Sequence, residues 1–278
     1  MGVLAFLLPY FEQSVIYDQL KTTAGISSLW DLNQPYAPAA GWWNNGPDTA
    51  LAKSRLKVLE CPSANLYDSR ASQLVAELLQ IVPNGPFGTC AGGSCTVETY
   101  LFGAGNNFGL TSYLGVAGSR GAGSLGYVGG SEQFDPYYKR YAGIFDNRTS
   151  TSIGQIPDGT SNTLMFGEAI GNDDGTTLYR YTWMSFGAMG TYRGLGGPTA
   201  NAQNPVTWGQ FSSRHPGGVL FCFADGSVRS LRRDGTQPPA DATKYNWNDR
   251  STLPASWFVL QSLAGISDGD VVNPNVLE

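Results

Sequence analysis

The stretch "SRHPGGVLFCFADGSVRSL", residues 213–231, decides how this chain folds, because an apolar strand-like run stands on each side of an Asp-Gly pair. "GVLFCF" reads as a buried strand and "SVRSL" as its returning partner. Asp225-Gly226 is the dipeptide that supports two consecutive positive φ angles, which predicts a type I′ turn between them. His215-Pro216-Gly217-Gly218 leads into the hairpin, and His215 is the single histidine of 278 residues. A general base needs a nucleophile to deprotonate and a carboxylate to orient it. The neighbouring Ser212 and Ser213 lack the Gly-x-Ser-x-Gly turn that exposes a nucleophile. His215 is therefore expected to be structural, one ring nitrogen bonding nearby backbone, with ligand binding and catalysis as the lesser readings.

Other segments extend the pattern. In "LLPYFEQSVIYDQLKTTAG", Pro9 is placed to start a helix, Phe11, Val15, Ile16 and Leu20 form an apolar stripe, and Gly25 lies past the end. "PDTALAKSRLKVLECPS" offers Asp48 as an N-cap and predicts a strand by Val58. "SQLVAELLQIVP" predicts a helix, pairing Leu74 with Leu78 and Val75 with Leu79 before Pro83. Beyond Cys95 the character changes: "TVETYLF", "TSYLGVAG", "AGIFD", "SNTLMFGEA" and "LYRYTWMSFG" are short aromatic or β-branched runs between Gly, Asn and Asp, expected to be antiparallel strands. "STLPASWFVLQSLAG" predicts a last helix, with Pro254 at its start, Trp257 and Leu260 on one face and Gly265 at its stop. The expectation is one α+β domain over residues 1–278, helix-rich over 1–83 and rich in strands and loops over 84–278.

Composition narrows the function. Charged residues make up 14% of the chain, against the usual quarter or so, and 36 glycines mark a turn-rich chain. A net charge of -5 argues against a nucleic-acid partner, whose phosphates are neutralised by Lys and Arg. The longest apolar run, "VLAFLLPY" at 3–10, is far short of the roughly 20 residues of a membrane span, and no secretory signal is evident. The opening reads as if the chain starts within a domain.

Four cysteines are present. "CAGGSC" sets Cys90 and Cys95 on either side of a Gly-rich turn that can bring them within disulfide reach. Cys61 and Cys222 stand in apolar stretches, where a free buried thiol is favoured over a second bridge. One His and four scattered Cys are a poor set for zinc. Calcium is the cofactor kept in view, through Asp173 and Asp174 in "GNDDGTT" and Asp268 and Asp270 in "SDGDVV", although neither loop has EF-hand spacing. Solvated turn carboxylates are the plainer reading of both.

The chain resembles the domain-of-unknown-function 1559 family of bacterial prepilin-like proteins, which carry a C-terminal motif of His, nine residues and Asp-Gly. An ordered series carries the resemblance: "LLPYFEQSVIYDQL" at 7–20, "LECPS" at 59–63, "TSYLGVAGS" at 111–119, "GIFDNRTSTSIGQIPDGTSNTLMFGEAIG" at 143–171, "SSRHPGGVLFCFADGSVRSL" at 212–231 and "LQSLAGISDGDVV" at 260–272. The resemblance implies an extracytoplasmic subunit built like a type IV pilin or a type II secretion pseudopilin. Such a subunit has an N-terminal hydrophobic helix ahead of a globular head. Neither that helix nor a prepilin cleavage signature stands in this sequence, so membrane contact is expected only through a helix outside it. His215, Gly217, Gly218, Asp225 and Gly226 are then expected to form one framework stretch, and Asp158, Gly159, Asn162 and Glu168 a second.

The expected partners are copies of the chain or other pilin-like subunits, since a surface poor in Lys and rich in aromatics suits packing. The alternative is a solute- or glycan-binding module with aromatic platforms from "GWWNNG" at 41–46 and "YRYTWM" at 179–184. An enzyme is not expected. Glu12 with Glu168, or Asp158 with Glu168, would make a carboxylate pair only at a suitable separation, and Asp158 reads better as a turn residue bonding local backbone.

Overall fold

In the computed structural model the described residues are 1–22, 42, 46–68, 71–78, 98–103, 107–119, 125–128, 131–134, 140–145, 150–171, 178–184, 187–197, 209–236 and 254–277. They form an α+β fold of short helices and several sheets. Cys90, Cys95, Asp173 and Asp174 lie outside them, as does Gly25.

The sheet that carries the site has five strands, β4 (Tyr113–Val116), β7 (Leu164–Glu168), β9 (Ala188–Met189), β12 (Val219–Phe223) and β13 (Val228–Leu231). Their order across the sheet is β13-β12-β7-β4-β9. All neighbours run antiparallel except β4 with β9. Along β12 the burial alternates, with Val219, Phe221 and Phe223 inside, as expected of a strand with one face on a core. These side chains meet Leu114, Leu164, Phe211 and the inward face of helix α4 (Ala255–Ala264), which supplies Leu260, Leu263 and Ala264. Pro254 caps α4 and Gly265 closes it, as the sequence predicts.

A second core gathers Leu4, Ala5, Leu8 and Leu20 from the N-terminal segment with Trp42, Leu56, Leu59, Phe108, Leu110, Trp183 and Met184. Strand β7 reaches both cores, through Leu164 to the first and Phe166 to the second. A four-stranded sheet, β2-β1-β8-β3, comprises β1 (Ala71–Leu78), β2 (Glu98–Gly103), β3 (Leu110–Thr111) and β8 (Leu178–Thr182). Two small pairs complete the set: β5 (Leu125–Val128) with β6 (Ser131–Phe134), and β10 (Leu195–Gly196) with β11 (Phe211–Ser212).

Several expectations are corrected. The hairpin has no type I′ turn, because Gly226 has a positive φ of 85° and Asp225 does not. Instead the Gly226 N–H donates to the Phe223 carbonyl at 2.9 Å and the Phe223 N–H to the Ser227 carbonyl at 2.8 Å. That is a three-residue loop, a type I turn closed by a left-handed glycine in a bulge. The Asp225 carboxylate holds it by accepting from the Ser227 N–H at 2.8 Å. The pair Asp-Gly serves either turn, and the register Cys222↔Val228 selects the longer one.

The helix predicted over 72–82 is strand β1 where it is described, antiparallel to β2 and parallel to β8. Short apolar runs suit both periods, and pairing with two neighbours decides the matter. The helix predicted from Pro9 onward is broken into a 3₁₀ turn at Leu8–Phe11 and α2 (Ser14–Thr22), because Glu12 takes a left-handed conformation at φ 61°, and a short α1 (Val3–Phe6) precedes it. Of its apolar stripe only Leu20 is fully buried, and Val15 is 72% exposed. The strand expected at Val58 is a 3₁₀ turn, Lys57–Leu59. Asp48 is no N-cap but sits buried in the first turn of α3 (Gly46–Ala52), where a carboxylate suits the helix dipole. "AGIFD" forms an isolated bridge, Ala142 with Gly118, not a strand.

Candidate functional site

Two serines assemble the site at the level of the backbone. Ser112, just ahead of β4, donates its N–H to the Leu59 carbonyl at 2.8 Å and accepts on its hydroxyl from the Cys61 N–H at 3.1 Å. Its carbonyl accepts from the Ala169 N–H at 2.7 Å. One residue thus fixes the segment carrying Cys61 against the end of β7, where Glu168 stands. Ser212, at the end of β11, bridges to Ala169 and accepts from the Ile170 N–H at 3.3 Å. That places the loop carrying His215 beside the same strand end.

The result is a cluster of three side chains drawn from residues 61, 168 and 215. The Cys61 sulfur, a Glu168 carboxylate oxygen and a His215 ring nitrogen all lie within 4.8 Å of one another. His215 Nε2 is 3.8 Å from Cys61 Sγ, 3.8 Å from Glu168 Oε1 and 3.5 Å from Ser63 Oγ. Ser63 Oγ is in turn 3.0 Å from Cys61 Sγ. Glu168 is fully buried, and among the described residues neither of its carboxylate oxygens has a partner within hydrogen-bond distance. Cys61 is buried too, while the His215 side chain is 40% exposed and forms the solvent side of the cluster.

Burial pushes the Cys61 thiol above its ordinary pKa, with Ser63 opposing and Glu168 adding to the rise. Tyr113, the partner of Glu168 across the β4–β7 pair, is pushed up to about 12 by burial and by the neighbouring Cys61 and Glu168. The site therefore gathers potential negative charge without a cation in its innermost ring. Arg233 lies close enough to feel the charge of Glu168.

Arg233 also does what the sequence reading gave to the imidazole. Its Nη2 donates to the carbonyls of Ser213 at 3.0 Å, His215 at 2.7 Å and Gly218 at 2.8 Å, and its Nε to Gly196 at 2.8 Å. The guanidinium pins the 213–218 loop, and the ring of His215 is left to face Cys61, Ser63 and Glu168. Gly218 packs against the backbone at Leu231, leaving no room for a side chain, while Gly217 is open.

The remaining predicted residues lie apart from this cluster in their bonding. Asp158 bonds no local backbone; its carboxylate accepts from the Asp268 N–H at 2.8 Å and the Gly269 N–H at 3.2 Å, tying the second framework stretch to the C-terminal loop. Gly159 has a φ of 94°, and Asn162 donates to the Asp158 carbonyl at 3.2 Å. In the loop that offers Asp268 and Asp270 to calcium, the Asp270 carboxylate accepts from Arg140, from Tyr141 Oη at 2.9 Å and from Ser262 Oγ at 3.4 Å. Asp268 Oδ1 accepts from the Asp270 N–H at 2.8 Å. An arginine therefore stands as the counter-charge in that loop.

Cys61 and Cys222 are both free thiols. Sequence reasoning treated Cys61 as a bland core thiol and Glu168 as framework, and singled out neither Ser63, Tyr113 nor Arg233. The usable signal was that "LECPS", "FGEA" and "SRHPGG" each set one polar, ligand-capable side chain among apolar or turn residues.

No curated protein and no solved structure matches the chain. A family model described as "Protein of unknown function (DUF1559)" matches residues 2–234, which includes Cys61, Glu168 and His215. The chain belongs to the domain-of-unknown-function 1559 family.

Proposed function

We propose that the chain is a non-catalytic, extracytoplasmic structural subunit, a pilin-like head that packs against copies of itself or related subunits. The observation that carries this reading is the seat of the N-terminal segment. Leu4, Ala5 and Leu8 of its helical turns are buried in the second core, and Val3 lies close to Gly115 of β4. That seating supports the reading, because the pilin resemblance implies a helix that leads into the globular head on this side. The same arm presents Tyr10 at 82% exposure and Val15 at 72%, apolar groups free to meet a neighbouring subunit.

The site's geometry also speaks against a thiol nucleophile. A nucleophile–base–carboxylate triad uses both nitrogens of an imidazole, one for each partner. Here Cys61 and Glu168 face the same nitrogen of His215. The solute-platform alternative loses support because Trp42 and Trp183, the described tryptophans of its two segments, are buried at 1% and 0% exposure.

The test is self-association. Concentration-dependent light scattering and electron microscopy of the chain are expected to show oligomers or fibres, and Tyr10→Ala with Val15→Asp to abolish them while leaving the circular dichroism unchanged. A strict monomer at the highest soluble concentration, with no disulfide cross-link between copies carrying Val15→Cys, overturns the reading.

A further inference from the structure

We infer that Cys61, Glu168 and His215 form a binding site for a zinc-class divalent transition metal, which fastens three separate segments of the chain together. The donors are a thiolate sulfur, an imidazole nitrogen and a carboxylate oxygen, the three side-chain ligands that zinc takes. Metal–ligand bonds of roughly 2.0–2.3 Å in a tetrahedral shell put the ligand atoms about 3.3–3.8 Å apart. Nε2 stands 3.8 Å from both Sγ and Oε1, at the edge of that range, and Sγ lies within 4.8 Å of the carboxylate, so a contraction of up to about 1 Å along that last edge closes the shell.

A second and independent feature is Glu168. A fully buried carboxylate without a hydrogen-bond donor is costly, and proteins retain such groups when they are paired or bound to a metal. A divalent cation in the cluster satisfies it and neutralises the Cys61 thiolate at the same time. Three heteroatoms converging with Nε2 of one imidazole are what a metal needs and a proton relay does not. Calcium is the wrong ion, because sulfur and imidazole are not the oxygen donors it takes. The fourth position falls toward Ser63 Oγ, which lies within 3.5 Å of both Sγ and Nε2, or toward water at the exposed edge of His215.

The site would join the turn after Leu59, the end of β7 and the loop before β12, segments otherwise held by Ser112, Ser212 and Arg233. This holds whether or not the chain assembles with copies of itself.

The experiment uses the full chain, stripped with a chelator and dialysed, then titrated with Co²⁺ and with Zn²⁺ in competition. One Co²⁺ per chain is expected, with visible d–d absorption of a tetrahedral ion and a near-ultraviolet thiolate-to-cobalt charge-transfer band. Zinc displaces it and raises the unfolding midpoint. Cys61→Ser removes the charge-transfer band, and His215→Ala and Glu168→Gln each weaken binding by about 100-fold or more, a loss at or above the most that changing a residue bonded only to a ligand causes. Cys222→Ser, which alters the other described free thiol, leaves band and stoichiometry intact. Absence of a charge-transfer band in the unmodified chain overturns the inference. So does a band that survives Cys61→Ser, or zinc that leaves the midpoint unmoved. His215→Ala, at a half-exposed position, keeps the test decisive even if a buried variant fails to fold.

Discussion

Replacing Arg233 by Met removes the charge while keeping much of the side-chain volume, and tests whether this one residue holds the loop that presents His215. Four carbonyls lose their donor: Gly196, Ser213, His215 and Gly218. Hydrogen bonds to a charged group contribute about 1.5–3 kcal/mol each, so the gross loss is large. Two effects reduce it. The guanidinium is itself half-buried and its pKa is lowered by desolvation, a cost that the substitution relieves. The loop at 213–218 is also partly exposed, and its carbonyls recover water. A net destabilisation of about 2–4 kcal/mol follows, or roughly 3–7 °C in Tm for a chain of this size. Urea unfolding measures the first quantity. Native-state hydrogen exchange measures the second consequence, a loss of protection concentrated in the amides around 213–218 and the start of β12. Arg233→Lys recovers less than half of the loss, because one ammonium cannot reproduce the fork that reaches Gly196 and the loop together. A change below about 0.5 kcal/mol, or lost protection spread evenly over the chain, refutes the reasoning.

Three further outcomes follow from the packing and the charges. Gly167→Ala puts a methyl group into the rings of Phe221 and Phe211 and is expected to cost about 1–3 kcal/mol in denaturant unfolding; a neutral result means those rings move freely. Gly226→Ala meets no atoms but forces an L-residue to a φ of 85°, for a cost of about 1 kcal/mol, while Gly226→Asn, which tolerates the left-handed region, costs less. Burial raises the Asp268 carboxyl to about 7, with Asp158 and Asp270 adding to the rise and Arg140 opposing it. The folded chain therefore holds a proton that the unfolded chain has released between about pH 4 and 7, so this group's contribution to stability falls as pH rises through that window. Asp268→Asn is expected to flatten the profile and to raise stability at pH 8 by on the order of 2 kcal/mol after allowance for solvent screening; an unchanged profile refutes the assignment.

The legibility of this chain varied with the range of the interaction. Strands β7, β12 and β13 and helix α4 were readable because each carries its own pattern: alternation along Val219, Phe221 and Phe223, or Trp257 and Leu260 on one helix face. The turn at Asp225-Gly226 was legible as a turn but not as a type, since the register with β13 chooses it. Strand β1 was misread because Leu74 and Leu78 fit helical spacing, and only its neighbours in the sheet exclude it. The site was the least legible part. Cys61, Glu168 and His215 are separated by 107 and 47 positions, so no spacing rule joins them; Ser112 and Ser212 do so through backbone bonds. Likewise nothing in the local sequence marks Arg233, whose four carbonyl partners lie 15 to 37 positions away.

The decisive measurement is a crystal structure of the chain soaked in zinc, with anomalous data across the zinc edge. One strong peak is expected, bonded to Cys61 Sγ, Glu168 and His215 Nε2 at roughly 2.0–2.3 Å, in a shell that Ser63 or a water completes. Cys61 and His215 found on separate faces of the molecule, or in place and bonded to no metal, would contradict the metal site.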